Sequence, residues 1–441
     1  MNNLAAKKLG FWEVTSIGIG GMVGGGIFAV LGLSVQLTGG GAPIAFLVAG
    51  LVALVTSYSY ARLSVTFPSQ GGTVTFLDRA FGSGLLTGSA NLLLWISYMV
   101  MLSLYAYAFG SYGAIFFPAT AQVLGKHGLI TVCVLGITGL NLLSTKLIGE
   151  AEDYIVLLKL LILFLFIGVG FSGVDTTQLM PSTWASPLSL VAGGMIIFVA
   201  YEGFELIANT AQDVENASKI LPRAYYASVV FVILLYICVA VVTVGTLPLA
   251  EILTAQDYAL AEAARPSLGQ AGFTLIAIAA MLSTSSAVNA TIYGAARLSF
   301  VIAKDGELPE ILERKTWDKP LLGLVITAGV TIILANLVDL SSISTMGSAG
   351  FLLIFAAVNA ANALLAEQTK SRRWLSLVGV VFCLGALGSL LYQITTTTPH
   401  QLWFLFVMLA LAFSVELGFR VASKRTVYFA KTKEQSVNDD G

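Results

Sequence analysis

The stretch Gly18-Ile19-Gly20-Gly21-Met22-Val23-Gly24-Gly25-Gly26-Ile27-Phe28 decides the fold. Six of its eleven residues are glycine, and it lies inside an apolar run, 11–36. That run is long enough to cross a bilayer, for which about 20 residues suffice. Each glycine costs up to ~1 kcal/mol in a helix interior relative to alanine. Close packing of two helices needs small residues on one face only. Three consecutive glycines cover more than one face, so the better account is a span that loses its winding at membrane depth. Exposed peptide groups there are tolerated only when shielded from lipid.

The rest of the chain fits a membrane. Of 441 residues, 57% are hydrophobic and 11% charged, against roughly 25% charged in a soluble domain. The mean hydropathy is +0.86. This excludes a soluble enzyme, a disordered chain and a secreted disulfide scaffold, and predicts an all-α polytopic membrane protein. The apolar runs are continuous and far longer than barrel strands. A net charge of −1 gives no footprint for nucleic acid. Cys133, Cys238 and Cys383 fall in apolar runs and read as packed or lipid-facing thiols; with His127 and His400 they give no zinc spacing. No metal, cofactor, nucleophile or phosphate motif is expected, and so no enzyme. The first apolar run lacks a small-residue cleavage site, which argues against a cleaved signal peptide.

Twelve spans are expected, at about 11–36, 42–67, 85–116, 128–144, 153–173, 186–212, 226–247, 271–302, 321–338, 344–366, 374–393 and 401–420. With a cytoplasmic N-terminus, 20 of the 23 Lys and Arg fall inside and only Lys126 and Arg265 outside; Lys159 lies within helix 5. This asymmetry predicts both termini on the cytoplasmic side of the cell membrane. Residues 249–267 read as an outer loop with an amphipathic helix, 304–320 as a charged inner loop, and the tail after Arg425 as polar and unstructured.

Helix 6 carries a second irregularity. Phe198-Val199-Ala200-Tyr201-Glu202-Gly203-Phe204-Glu205 puts two carboxyls and a glycine near mid-span. A carboxylate at that depth costs ~2.5–3.5 kcal/mol on insertion scales. The broken candidates are helices 1 and 6, five apart. Five is odd, so a second five-helix unit crosses the membrane inverted, the pointer to a secondary transporter. A half-helix N-terminus offers N–H groups to a carboxylate, and the ends of preceding half-helices offer carbonyls to an ammonium. A pocket with both suits an amino acid.

These residues resemble the amino acid–polyamine–organocation (APC) superfamily of LeuT-fold transporters, over most of 10–320. The motifs are Gly18 to Phe28, Ala200 to Glu205, Asp213-Val214-Glu215-Asn216-Ala217-Ser218-Lys219-Ile220-Leu221-Pro222-Arg223-Ala224 (with Ala217 where the family usually has proline), and Ala295 to Pro309. Val156 to Leu163 and Ser285 to Gly294 are most similar to ApcT-type proton-coupled amino-acid transporters. The resemblance implies a LeuT-like 5+5 inverted repeat with two extra C-terminal helices. The expected units are an N-terminus 1–10, a first repeat 11–173, a second repeat 186–366, helices 11 and 12 at 374–420 and a tail 421–441.

The resemblance also implies site residues. Met22, Gly24, Gly25 and Gly26, with Val199, Ala200, Tyr201, Glu202 and Gly203, are the expected substrate clamp. Lys159 takes the place of a coupling cation, near the Gly20 carbonyl and the hydroxyls of Ser283, Thr284, Ser285 and Ser286. The alternative for Lys159 is snorkelling to the interface; for the hydroxyls it is helix–helix hydrogen bonding. Glu202 has three readings: partner of the substrate amine, second titrating group, or carboxyl bonded to unwound backbone. Glu205 reads as structural, at the dipole of the inner half-helix. Phe198, Tyr201 and Phe204 are pocket-closing or packing aromatics; Trp95, Ser97 and Tyr98 are placed as a wall. Asn141, Asn336, Asn359 and Asn362 read as interhelical contacts. The expected activity is secondary active amino-acid transport by proton-coupled symport; the alternative is an amino-acid or amine exchanger, with cationic substrates met by Glu202. A channel or a transport-like receptor is the rival of another class. The partners are the substrate, a proton and the lipid bilayer.

Overall fold

The computed structural model describes residues 8–143, 146–313 and 320–423. The described residues are almost entirely helical, with only two isolated bridges, Leu9 to Val214 and Gly39 to Trp184. The polar tail and residues 314–319 of the charged loop lie outside the described residues.

The first span is broken as the glycine run predicts. Helix α1 (Phe11–Met22) and α2 (Gly26–Thr38) meet at 45°. Next come α3 (Ala42–Thr66), a short α4 (Thr73–Phe81), α5 (Leu85–Ala114), α6 (Gln122–Leu143) and α7 (Lys146–Gly170). The sixth span breaks too: α8 (Pro187–Ile196) meets a 3₁₀ stretch over Phe198–Asp213 at 54°. Then follow α9 (Ala217–Thr246), α10 (Leu249–Thr254), α11 (Ala259–Lys304), α12 (Leu321–Leu337), α13 (Leu340–Leu364), α14 (Ala366–Thr369), α15 (Arg373–Thr397) and α16 (Gln401–Ala422). Among the described residues nine helices are long and apolar enough to cross a membrane, eleven with each bent pair as one span. The apolar α12 is a shorter, 17-residue helix.

The segment expected to be an amphipathic outer loop forms α10 and a 3₁₀ turn at Gln256–Tyr258. Within α11 two helices meet at Gly269, whose φ of 63° and ψ of −160° are not helical: a first one from Ala259, and the eighth span after it. The missing proline of the loop after the sixth span leaves Asn216 in the left-handed region, φ 50°, at the start of α9. Two spans form the bundle centre: α5 and α13 bury most of their surface, whereas α6, α15 and α16 present large apolar side chains outward. Outward apolar surface on this scale suits lipid, not water.

The ends of the bundle separate into two faces. Leu9 N–H donates to Asp213 O (2.8 Å) and Glu215 N–H to Leu9 O (2.9 Å), so the chain start lies beside the 213–215 loop. Arg297 donates to Gln70 Oε1 (2.7 Å) and Arg420 to Ser83 O (2.8 Å) on that same face. Gly39 and Trp184 meet on the opposite face, where Gln256 Nε2 donates to Gln36 Oε1 (2.6 Å).

Candidate functional site

The two breaks face each other. A Cβ on Gly21 would come 2.8 Å from Gly203 O, and one on Gly26 would come 2.6 Å from Ala200 Cα. Only glycine lets the two backbones approach this closely, and Gly203 also has φ 121°. A Cβ on Gly25 would overlap the Tyr105 ring, and one on Gly24 would come 2.8 Å from the Ala287 methyl. Met22, Val199, Ala200, Tyr201, Glu202 and Gly203 are all buried here.

Most carbonyls of the breaks already have donors. Tyr236 Oη donates to Met22 O (2.7 Å) and Ala200 O (3.0 Å), joining the two breaks. Ser283 Oγ donates to Val23 O (3.0 Å) and also to Gly24 O. Ser344 and Ser348 both donate to Ile196 O, at 2.6 and 2.9 Å, and Ser348 Oγ accepts from Val199 N–H (2.9 Å). At the start of α2 no side chain caps the helix, so its first amides keep their donors.

The two carboxyls of the sixth span differ. Glu205 accepts from Gly203 N–H (2.7 Å) and Tyr98 Oη (3.2 Å), and so caps the turn as its structural reading expects. Glu202 is wholly buried, and neither carboxyl oxygen has a hydrogen-bond partner among the described residues. It lies within electrostatic reach of Glu205, Tyr98 and Tyr105. The bond from Glu202 to unwound backbone is therefore not found there.

Lys159 is only 2% exposed, and its Nζ donates to Gly20 O (3.2 Å). The side chain runs into the bundle, not to the interface. Ser283 reaches the break of the first span, while Thr284 and Ser285 bond carbonyls of their own helix and Ser286 is buried. Of the wall residues, Tyr98 reaches the site, while Trp95 Nε1 donates to Thr327 (3.2 Å) and Ser97 Oγ is buried without a hydrogen-bond partner among the described residues. Phe198 and Phe204 pack against Phe355, and Tyr201 donates to Phe46 O (2.8 Å). The asparagines make interhelical bonds: Asn141 to Asn289, Asn336 with His127, Asn359 with Ser59 and Thr56, Asn362 to Ser376.

A cavity of 880 Å³ leads from the face of the chain start down to Gly20, Gly21 and Tyr98, past Trp12, Ser16 and Arg297. It stops there: residues 22–26 and 199–203 do not line it. On the opposite face Lys126 Nζ bonds Asp257 Oδ2 (2.9 Å), which also accepts from Ser111 (3.2 Å).

Sequence reasoning missed Tyr236 and Tyr105, which lie in apolar runs without a distinguishing neighbour. Ser344 and Ser348 had a signal, two hydroxyls at i and i+4 on one helix face.

A family model described as amino acid permease matches residues 9–421. An uncharacterized protein of Methanocaldococcus jannaschii is 35% identical over 428 residues, 96% of this chain and 98% of its own. The inner membrane transport protein YbaT of Escherichia coli is 31% identical over 419 residues, 94% of this chain and 97% of its own. The branched-chain amino acid permease BcaP of Bacillus subtilis is 26% identical over 388 residues, 82% of this chain and 81% of its own. With the family match running through both broken spans, the chain belongs to the amino acid permeases of the APC superfamily, multi-pass membrane transporters and not enzymes.

Proposed function

We propose that the chain carries an amino acid together with a proton across the cytoplasmic membrane, by alternating access about the two breaks. In this reading 11–173 and 186–366 are inverted repeats, α12 supplies the ninth of twelve spans, and both termini are cytoplasmic. The excess of Lys and Arg on the face of the chain start supports that orientation, and the inner-membrane setting in the name of YbaT supports the cytoplasmic membrane. The cavity then opens inward.

The substrate carboxylate is held by the amides of Gly24, Gly25 and Gly26 at the positive end of α2. Met22, Val199, Ala200, Tyr201, Glu202 and Gly203 surround the rest of it. The observation that carries the coupling is the buried Lys159 ammonium on the Gly20 carbonyl, one turn before the unwound segment. A charge-assisted bond there ties the fifth span to the first. Loss of the proton weakens it and frees α1 to move. Coupling requires that proton and substrate favour the same state.

The test is uptake into proteoliposomes under an imposed pH gradient. The expected result is amino-acid accumulation driven by an acidic exterior, with the gradient dependence lost in Lys159→Ala. Uptake indifferent to the gradient in the unmodified protein, or undiminished coupling in the variant, contradicts the proposal. A second reading, exchange of amino acids or amines, is favoured by the oxygens of Glu202, which have no hydrogen-bond partner among the described residues. A buried carboxylate needs a cation to cross, so an empty carrier returns slowly. Uptake that requires internal substrate supports exchange.

A further inference from the structure

A second carboxyl cluster lies away from the breaks, on the face of the chain start. Four elements build it. Asp78 sits in α4, Asn91 in the first turns of α5, Glu307 just after α11, and Glu416 and Arg420 in the last turns of α16. Glu307 reaches the cluster because Gly306, at φ 73°, ends α11 and turns the chain back, with Glu307 N–H on Ile302 O (2.9 Å).

Asn91 is the link. Its Nδ2 donates to Glu307 Oε2 (2.7 Å) and to Asp78 Oδ1 (3.2 Å). Two carboxyl oxygens fix which end of the amide faces them, since the amide oxygen there would meet only acceptors. Two atoms are left over. Asn91 Oδ1 and Glu307 Oε1 are both buried and without a hydrogen-bond partner among the described residues, in residues 0% and 1% exposed. A buried orphan acceptor costs ~1–3 kcal/mol. Both orphans are acceptors only while Glu307 is ionised. One proton on Glu307 Oε1 turns it into a donor and completes a cyclic acid–amide pair, N–H to C=O on one side and O–H to C=O on the other.

We infer that Glu307, paired with Asn91 and backed by Asp78, is a proton-binding site separate from the substrate path. The proton comes from water at that face, bonds to Glu307 Oε1 and takes the carboxyl from −1 to neutral. The surroundings favour it. Among the described residues Glu307 faces Asp78 from α4, Glu416 from α16 and the cation Arg420, which bonds Glu416 Oε1 at 2.5 Å. Asp78 faces Asp305, which in turn faces Lys304 and Glu313. Burial, then the Asp78 charge, pushes Glu307 up to about 8, and burial pushes Asp78 up to about 7. The site fastens α4 to the end of α11. Gly71 and Thr73 at the other end of α4, and Val301 of α11, line the cavity. Ionisation therefore loosens the rim of the opening.

A group that holds its proton more tightly folded than unfolded stabilises the fold below its unfolded value, here 4.5, and that contribution is lost as pH rises to about 8. The experiment is thermal unfolding of the purified full chain from about pH 5.5 to about pH 9, with infrared difference spectra over the same range. It does not depend on what the chain transports. The unmodified protein is expected to lose several degrees of midpoint as pH rises and to lose a protonated-carboxyl band. Glu307→Gln, which keeps both hydrogen bonds with a permanent donor, is expected to flatten the curve and remove the band; Asp78→Asn is expected to lower the midpoint of the band's titration. If Glu307→Gln does not fold, the Asp78→Asn shift alone decides. A slope and band unchanged in Glu307→Gln, or a titration unmoved by Asp78→Asn, overturns the inference.

Discussion

Tyr236 shows how one hydroxyl can hold the two breaks in register, because a single Oη serves Met22 O and Ala200 O. Tyr236→Phe leaves two buried carbonyls without that donor, so a loss of ~1–3 kcal/mol is expected. Thermal unfolding of the purified variant checks it, and an unchanged midpoint would show that the link bears no load. Residues differ in how well the sequence announces them. Lys159 was legible because a charge inside an apolar run is costly and so has a reason to be there. Tyr236 was not, since a tyrosine in such a run reads as packing. Glu202 was found by its depth, but that its oxygens have no partner among the described residues appears only once the surrounding donors are placed.

At the scale of elements, the breaks are made by glycine contact and not only by missing helix propensity. The backbone of Gly21 lies against that of Gly203, which has φ 121°. Gly203→Ala adds both a clash and a backbone strain of about 1–3 kcal/mol. It is expected to lower the unfolding midpoint and abolish uptake, whereas Gly128→Ala, where a Cβ meets nothing within 4 Å, is expected to leave both intact. Equal effects from the two would mean that the contact is immaterial. Both breaks were visible as glycine and carboxylate at membrane depth. α4 was not, because a search for runs of about 20 apolar residues passes over a nine-residue helix that buries only Val74, Phe76, Leu77 and Thr73. The 3₁₀ winding of Phe204–Asp213 was likewise hidden, since hydrophobic content does not distinguish two helix types of such similar period.

For the whole molecule, the cavity opens on one face, and on the far face Lys126 pairs with Asp257 and Gln256 bonds Gln36. In the proposed cycle these two contacts are the latch of the far face. The pair is partly exposed, so Asp257→Ala is expected to cost no more than ~1 kcal/mol of stability. It is expected to shift the population toward a state closed on the near side. Labelling of Ser16→Cys, in the cavity wall, by a membrane-impermeant thiol reagent should slow when Asp257→Ala is added; faster or equal labelling contradicts the latch. Composition and the Lys and Arg asymmetry made the polytopic class legible, because lipid solvation acts on every residue of a span. The open face was not legible, since two states of one carrier share one sequence.

The most direct test of the account is an experimental structure of the protein saturated with an amino acid that it transports. The account predicts substrate density between Met22–Gly26 and Val199–Gly203, its carboxylate on the α2 amides and Lys159 on the Gly20 carbonyl. Density confined to the mouth of the cavity near Trp12 and Arg297, with the breaks packed as they are without substrate, would contradict it.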